Sequence, residues 1–348
     1  MVLLGVDPHK DTHTVVAVDQ AGRPLDQTTV AARSPGHAEL LGWACHRWPD
    51  ERVWAVEDCR HVTGRLERDL LAAGERVMRV PPRLMAGARQ AVRALGKSDP
   101  IDALAVARAA LREPNLPTAG HDQASWQVKL LVDHREQLVA ERTRTINRLR
   151  WHLHQLDPDL EHAARRLPGP ALDQIAAWLA GTPSSVQIVI CQELAATVAA
   201  LTMRIDRLTG DLRRRVARLA PNLLGLPGCG VLTAAKLIAE TAGVARFRSE
   251  ACFAVHAGVA PIPASSGRTD RHRLCRGGTR QLNAAIHRIA ITQLRLVGPG
   301  QAYYRRRRAQ GDGTGEAVRA LKRRTARAVY QQLKLAEERL RTASPAAA

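Results

Sequence analysis

Val2-Leu3-Leu4-Gly5-Val6-Asp7 is a short apolar run that ends on a carboxylate, and Pro8-His9-Lys10-Asp11 follows it. Its length and apolar content read as a buried strand. A second apolar run, Thr12–Asp19, comes directly after, and Gly22-Arg23-Pro24 marks a turn of the kind that joins hairpin strands. Outward from this pair, the spacing predicts a helix over Pro35–Trp48 and a strand over Val53–Glu57. It then predicts a helix over His61–Ala73, a strand over Arg76–Val80, and helices over Arg83–Ala91 and Asp99–Leu111. A hairpin followed by alternating strands and helices predicts an α/β unit over residues 1–115, with a mixed sheet flanked by helices.

Four acids occupy telling places in that unit. Asp7 ends the first strand, Glu57 ends a later one, and Asp99 and Asp102 open the last helix. Strand-end acids can face a common space above a sheet, and acids three apart share a helical face. Together they are suited to two divalent ions that align a phosphodiester. Magnesium fits such an oxygen-rich set. Each acid also has a purely structural explanation. Asp7-Pro8 can end a strand, and Glu57 can pair with Arg60. Asp99-Pro100-Ile101-Asp102 reads as an N-cap, a proline at the first helical position and a box-like acid. The joint layout of the four is that of RNase H-like nucleases.

The rest of the chain is organised differently. Leu194, Val198, Leu201, Ile205, Leu208 and Leu212 recur at spacings of four and three, the rhythm of a coiled-coil seam. Val139, Ile146, Leu149, Leu153 and Leu156 form a similar row, with Pro168-Gly169-Pro170 and Gly181-Thr182-Pro183 between. Residues 120–219 therefore read as long helices with a broken middle, a dimerisation region or an ordinary bundle within one chain. Residues 220–300 form a third unit. There Leu226-Pro227-Gly228-Cys229-Gly230 precedes a helical stretch. A glycine turn opening a helix presents N–H groups to an anion, as Gly228 and Gly230 would in a helix-hairpin-helix-like element, though a plain turn reads equally well. Residues 301–348 read as a basic helical tail.

Composition points to the partner. The 348 residues carry 52 Lys+Arg against 33 Asp+Glu, a formal charge of +19. Such an excess favours a polyanion. Aromatic residues are only 3% of the chain, too few for single-strand stacking platforms, so duplex backbones or folded RNA are the expected targets. The six cysteines form no C-x-x-C pair and read as reduced cytosolic thiols. Cys252, His256, His272 and Cys275 leave a zinc site open. Met1–Val6 is too short for a secretory signal, and no apolar run approaches membrane-spanning length in this reading. The expected location is the cytoplasm, with no membrane partner.

A serine segment adds a second chemistry. Ser265-Ser266-Gly267-Arg268 is followed by Arg271, Arg273, Arg276 and Arg280, with glycines at 277 and 278. A hydroxyl among arginines suits attack on phosphorus, because guanidinium groups neutralise the crowded oxygens. Loop serines beside phosphate-binding arginines read just as readily as plain contact residues. No G-x-x-x-x-G-K-(S/T) loop is present, so no step coupled to ATP is expected.

Two motifs carry a resemblance. Gly5-Val6-Asp7-Pro8-His9-Lys10-Asp11 resembles the G-(I/V)-D-x-H-K-D opening of DEDD-type transposases of the insertion-sequence "one-ten" family. Gly96-Lys97-Ser98-Asp99-Pro100-Ile101-Asp102-Ala103 resembles their K-(S/T)-D-x-x-D-A motif. The matching domain order extends to about residue 300. The resemblance implies a RuvC-like domain whose Asp7, Glu57, Asp99 and Asp102 bind Mg2+. It implies a C-terminal domain over Leu223–Leu294 whose nucleophile is Ser266, with Ser265 as fallback. It also implies DNA recombination through a serine–DNA link, a structured guide RNA and a homo-oligomer, dimer or tetramer. Lys10, Gly228, Gly230, Arg268, Arg271, Arg273, Arg276 and Arg280 are the expected nucleic-acid contacts. A metal-dependent resolvase-like nuclease and a non-catalytic nucleic-acid binder remain alternatives.

Overall fold

A computed structural model describes residues 1–82, 84–85, 98–113, 116, 118–120, 123–160, 167–264, 272–273, 275 and 278–343. The chain forms two compact units. The first comprises Met1–Asp122 with Gly243–Ala260 and Cys275–Gly278; the second comprises the remainder.

The first unit is built on a five-stranded sheet. Its strands are β1 (Val2–Pro8), β2 (Thr12–Val18), β3 (Pro24–Ala31), β4 (Arg52–Glu57) and β5 (Val77–Val80). Their order is β3-β2-β1-β4-β5. β2 runs antiparallel to β1 and β3, whereas β1, β4 and β5 are parallel. This is the RNase H-like mixed sheet. β1 and β2 are buried along nearly their whole length because helices cover both faces. β3 is the exposed edge, open at Pro24, Leu25, Gln27 and Thr29.

Helices α1 (Ser34–Arg47) and α2 (Arg60–Ala72) lie on one side of the sheet, and α3 (Asp99–Arg112) on the other. Leu4, Val6, Trp54 and Val56 pack with Leu40, Ala44, Leu66 and Leu70 on the first face. Leu3, Val53 and Ala55 pack with Ala103, Val106, Ala107 and Ala110 on the second. Each fully buried side chain the size of valine or leucine contributes about 1.5–3 kcal/mol. The alanine row lets α3 settle closely on β1. A Cβ on Gly5 would lie 2.3 Å from the Ala103 carbonyl oxygen and 2.6 Å from the Ala107 nitrogen. Only glycine permits that approach. The helix expected over Arg83–Ala91 falls largely outside the described residues.

Among the described residues the second unit is helical, apart from two short strands described with the site. α4 (Gln123–Leu156) and α6 (Val186–Leu219) are each 34 residues long, about 50 Å at 1.5 Å per residue. They lie antiparallel: Arg135 donates to Thr209 Oγ1 at 2.8 Å, and Arg215 to Gln127 Oε1 at 2.7 Å. α5 (Pro170–Gly181) closes one end, where Leu172, Ile175 and Leu179 pack with Leu149, Leu153, Ile188 and Cys191. The two leucine-rich rows seen in the sequence thus face each other within one chain. The expectation that no apolar run reaches membrane-spanning length is corrected by α6, whose most apolar 18-residue window has a mean hydropathy of 1.6. Its buried row nevertheless packs on α4 and α5.

α7 (Val231–Thr241) packs against α4 and carries buried ionic groups. Lys236 meets Glu136, and Lys129 meets Glu240, each at 2.8 Å. α9 (Arg280–Arg295), α10 (Pro299–Ala309) and α11 (Thr314–Ala343) complete the unit. The last, read from sequence as a basic tail, buries Ala317, Leu321, Ala326, Val329, Leu333 and Ala336. In the first unit, α8 (Glu250–His256) is capped by Ser249, whose hydroxyl accepts from the Cys252 N–H.

Candidate functional site

The acids converge at the end of β1. Asp7 follows Val6, which pairs with Val56 of the parallel neighbour β4, and Glu57 follows Val56. The two acids therefore sit at adjacent strand ends in matching register. Strand alternation places Glu57 on the face of Val53 and Ala55, the face covered by α3. Asp58, one residue on, falls on the opposite parity. The close approach at Gly5 brings the first turn of α3, with Asp99 and Asp102, over the same place. Asp7 and Asp102 are both 5% exposed.

Electrostatics register the convergence. Burial is the largest influence holding the Asp7 carboxyl above its usual range; Asp102 and Asp99 add to it, while His9 opposes it. Two buried like charges are costly unless a cation joins them. His9 adjoins Asp7 and Asp99. Its Nε2 lies 3.1 Å from Asp7 Oδ2 and 3.5 Å from Asp99 Oδ1. One donor atom each from Asp7, His9 and Asp99 lies within 4.8 Å of the others, a spacing that accommodates one metal ion. Among the described residues it is the one such group of histidine, cysteine, aspartate and glutamate. The donor set, carboxylate oxygens with one imidazole, suits a divalent cation.

His9 was missed as a site residue. It stood inside the opening motif, yet a histidine two residues beyond an acid and past a proline carries no ligand signature. The tight β1–β2 turn, closed by His9 N–H donating to the Thr12 carbonyl at 2.9 Å, turns it back toward Asp7. Lys10 sits exposed in the same turn. The capping explanation for Asp99 is corrected. Ser98 occupies the N-cap without a side-chain cap hydrogen bond, and Asp99 is the first helical residue. Asp102 moves one place inward, beyond capping-box position, and its N–H reaches the Ser98 carbonyl at 3.1 Å.

The serine segment is flanked by β6 (Ile262–Pro263) and β7 (His272–Arg273), which pair antiparallel. Ser265, Ser266, Arg268, Arg271 and Arg276 lie outside the described residues. Arg273 is exposed on β7, and Arg280 is exposed at the start of α9. In the glycine turn, Gly228 has φ +84°, and a Cβ there would meet Thr292 Cβ at 2.9 Å and the Ile289 carbonyl oxygen at 3.0 Å. Contact with α9 accounts for this glycine. Gly230 is the N-cap of α7, with open space where a Cβ would lie. All six cysteines are free thiols, and burial pushes the Cys229 thiol up to about 12.

The sheet and its acid cluster define an RNase H-like protein. Residues 4–158 match the DEDD-type IS110 transposase family, and residues 220–305 match the family described as "Transposase IS116/IS110/IS902 family". The chain belongs to this IS110 family of insertion-sequence transposases. It is 30% identical to the insertion element IS900 42 kDa protein of Mycobacterium paratuberculosis, covering 96% of each chain. It is 27% identical to the insertion element IS116 44.8 kDa protein of Streptomyces clavuligerus, covering 99% of this chain and 97% of that one. Among solved structures, Thermus thermophilus RuvC with a Holliday junction substrate matches with a TM-score of 0.27 and 20% identity, over 34% of this chain and 99% of that chain.

Proposed function

We propose that this transposase cuts and rejoins DNA with two sets of residues, an acid cluster that holds a divalent ion and a serine that takes up the cut strand. The observation that carries the reading is the meeting of Asp7, Asp99 and His9 donor atoms beside buried Asp102. Asp7, Asp99 and His9 would hold the ion, with Glu57 and Asp102 completing the acidic wall. Magnesium is the favoured ion, because most of the donors are hard oxygens. When bound, such an ion supplies Lewis acidity to a phosphodiester oxygen. The protein's own part is positioning. Asp7 and Asp102 are fixed by the β1–α3 contact, and His9 holds Asp7 and Asp99 in register.

The serine role follows from the family resemblance. Ser266 Oγ forms a bond to the scissile phosphorus, the bond from phosphorus to the leaving sugar oxygen breaks, and the proton of Oγ passes to that oxygen. The reverse attack by a different sugar hydroxyl rejoins the strand, so bond energy is conserved and no nucleotide hydrolysis is needed. Arg268, Arg271, Arg273, Arg276 and Arg280 would neutralise the phosphate, while Lys10, Gly228 and Gly230 contact backbone elsewhere. A structured guide RNA, a homo-oligomer and residence on the bacterial nucleoid belong to the same reading.

The test is recovery of DNA covalently attached to the protein, in Mg2+ with the element's own DNA and RNA. Ser266→Ala is expected to lose the adduct and strand exchange together. Full strand exchange by Ser266→Ala removes the serine role and leaves a nuclease working through its acids alone.

A further inference from the structure

Among the described residues, Lys322 is a buried cation with no acid to match it. It sits on α11, 9% exposed. Its ammonium donates to Asn283 Oδ1 on α9 at 2.6 Å. That partner is neutral, and an ammonium has three protons to give. Two other enclosed lysines of this unit are treated differently: buried Lys236 meets Glu136, and half-buried Lys129 meets Glu240. Among the described residues, no carboxylate lies within ion-pair distance of Lys322.

Its surroundings add positive charge. Asn283 lies on α9 between Arg280, three residues before it, and His287, four residues after it, so the three share one helical face. Arg280 and His287 are exposed. Desolvation is the larger influence pushing the His287 imidazole toward its neutral form, and the charge of Lys322 adds to it, which marks the two groups as near one another. A buried ammonium beside a second basic group destabilises the free protein unless an anion arrives. The long lysine stem can carry its head outward to meet one.

We propose that Lys322, with Asn283, His287 and Arg280, forms a binding site on the α9–α11 face for a backbone phosphodiester of nucleic acid. The site shares Arg280 with the arginines proposed around Ser266, but its argument depends on neither that serine nor the acid cluster. A structural strut and a phosphate site make opposite predictions for the isosteric substitution Lys322→Met. A strut, when removed, lowers stability and leaves binding alone. A phosphate site, when removed, leaves stability equal or higher and weakens binding.

The experiment measures fluorescence anisotropy of a linear DNA duplex and, separately, of an RNA duplex, with the full chain in EDTA across a salt series. Working in EDTA keeps strand chemistry out, so failure here is distinguishable from failure of the proposed transposition mechanism. Lys322→Met is expected to lower affinity about three- to tenfold and to make the salt slope shallower by about one, the signature of one lost phosphate contact. Lys322→Arg is expected to keep the slope. Asn283→Asp gives Lys322 an internal counter-ion. It is expected to raise the melting temperature and weaken binding, which keeps the test decisive if Lys322→Met does not fold. The duplex whose slope changes identifies the source of the phosphate. Unchanged slopes on both duplexes for Lys322→Met or Asn283→Asp overturn the proposal, as does a lowered melting temperature with binding intact.

Discussion

Replacing Gly5 with alanine tests the link between packing and the acid cluster. The added Cβ would lie 2.3 Å from the Ala103 carbonyl oxygen, 2.6 Å from the Ala107 nitrogen and 2.7 Å from Ala107 Cβ. Ordinary contact begins near 3.4 Å, so α3 must retreat by about 1 Å. Backbone atoms cannot rotate aside as a long side chain can. Overpacking of this kind costs about 1–3 kcal/mol, or about 4 °C of melting temperature per kcal/mol for a unit of this size. The functional cost is larger in proportion, because α3 carries Asp99 and Asp102. A metal site tolerates only about 0.2 Å in its ligand distances. Metal affinity is therefore expected to fall by about tenfold or more. At a free ion concentration of about 100 Kd the wild type gains about 2.7 kcal/mol, and a site tenfold weaker gains about 1.4 kcal/mol. Thermal unfolding with and without Mn2+ or Mg2+ reads both effects. Gly42→Ala is the control. Gly42 lies within α1 with nothing within 4 Å of where an alanine Cβ would sit, and the change is expected to stabilise by about 0.5–1 kcal/mol. If Gly5→Ala melts like the wild type and keeps the full metal-dependent shift, the reasoning is wrong.

Asp7→Asn removes a charge that burial and its acidic neighbours disfavour. It is expected to raise the melting temperature in EDTA, abolish stabilisation by metal and abolish DNA cleavage. A lowered melting temperature in EDTA would count against a strained acid cluster. His13 supplies a pH test. Burial, with help from His37, holds its imidazole down at about 4 against an unfolded value of 6.5. The unfolded chain thus binds the extra proton between those values, so stability falls as pH drops from 6.5 toward 4. His13→Gln is expected to flatten that part of a melting-temperature profile, and an unaltered profile would refute the assignment. In the second unit, Glu240→Ala removes the acid that meets the Lys129 ammonium at 2.8 Å and leaves it Asp133 at 2.9 Å. It is expected to cost about 1–3 kcal/mol in denaturant unfolding, while Lys129→Met with Glu240→Leu recovers most of that. Equal losses in the single and double variants would show that the pair is not coupled.

The strands of the first unit were legible where one chemical character dominated. Val2–Asp7, Thr12–Asp19 and Val53–Glu57 are apolar runs, and the structure makes each a buried strand. β3 gave only a turn signal at its start. It is an edge strand in which Asp26, Gln27, Thr28 and Thr29 interrupt the apolar residues, so apolar content was too low to reveal it. The leucine rows of α4 and α6 showed that the helices bury a face but not what covers it, since a partner helix in the same chain and one in another chain impose the same spacing. The C-terminal segment was read as a basic helical tail because its arginines stand out over its core positions, although α11 packs its alanines and leucines inward.

Local chemistry written along the chain was enough to determine the kind of protein. An acid at the end of an apolar run, another at the end of a later one, and a D-x-x-D opening a helix are each short-range patterns, and together they mark the fold and its acids. Tertiary packing alone decided how those acids meet. Gly5 lets a helix backbone touch β1, the β1–β2 turn swings His9 between Asp7 and Asp99, and Lys322 is enclosed opposite a neutral amide. None of these has a sequence signature, because each depends on which surfaces come into contact rather than on which residues are neighbours along the chain.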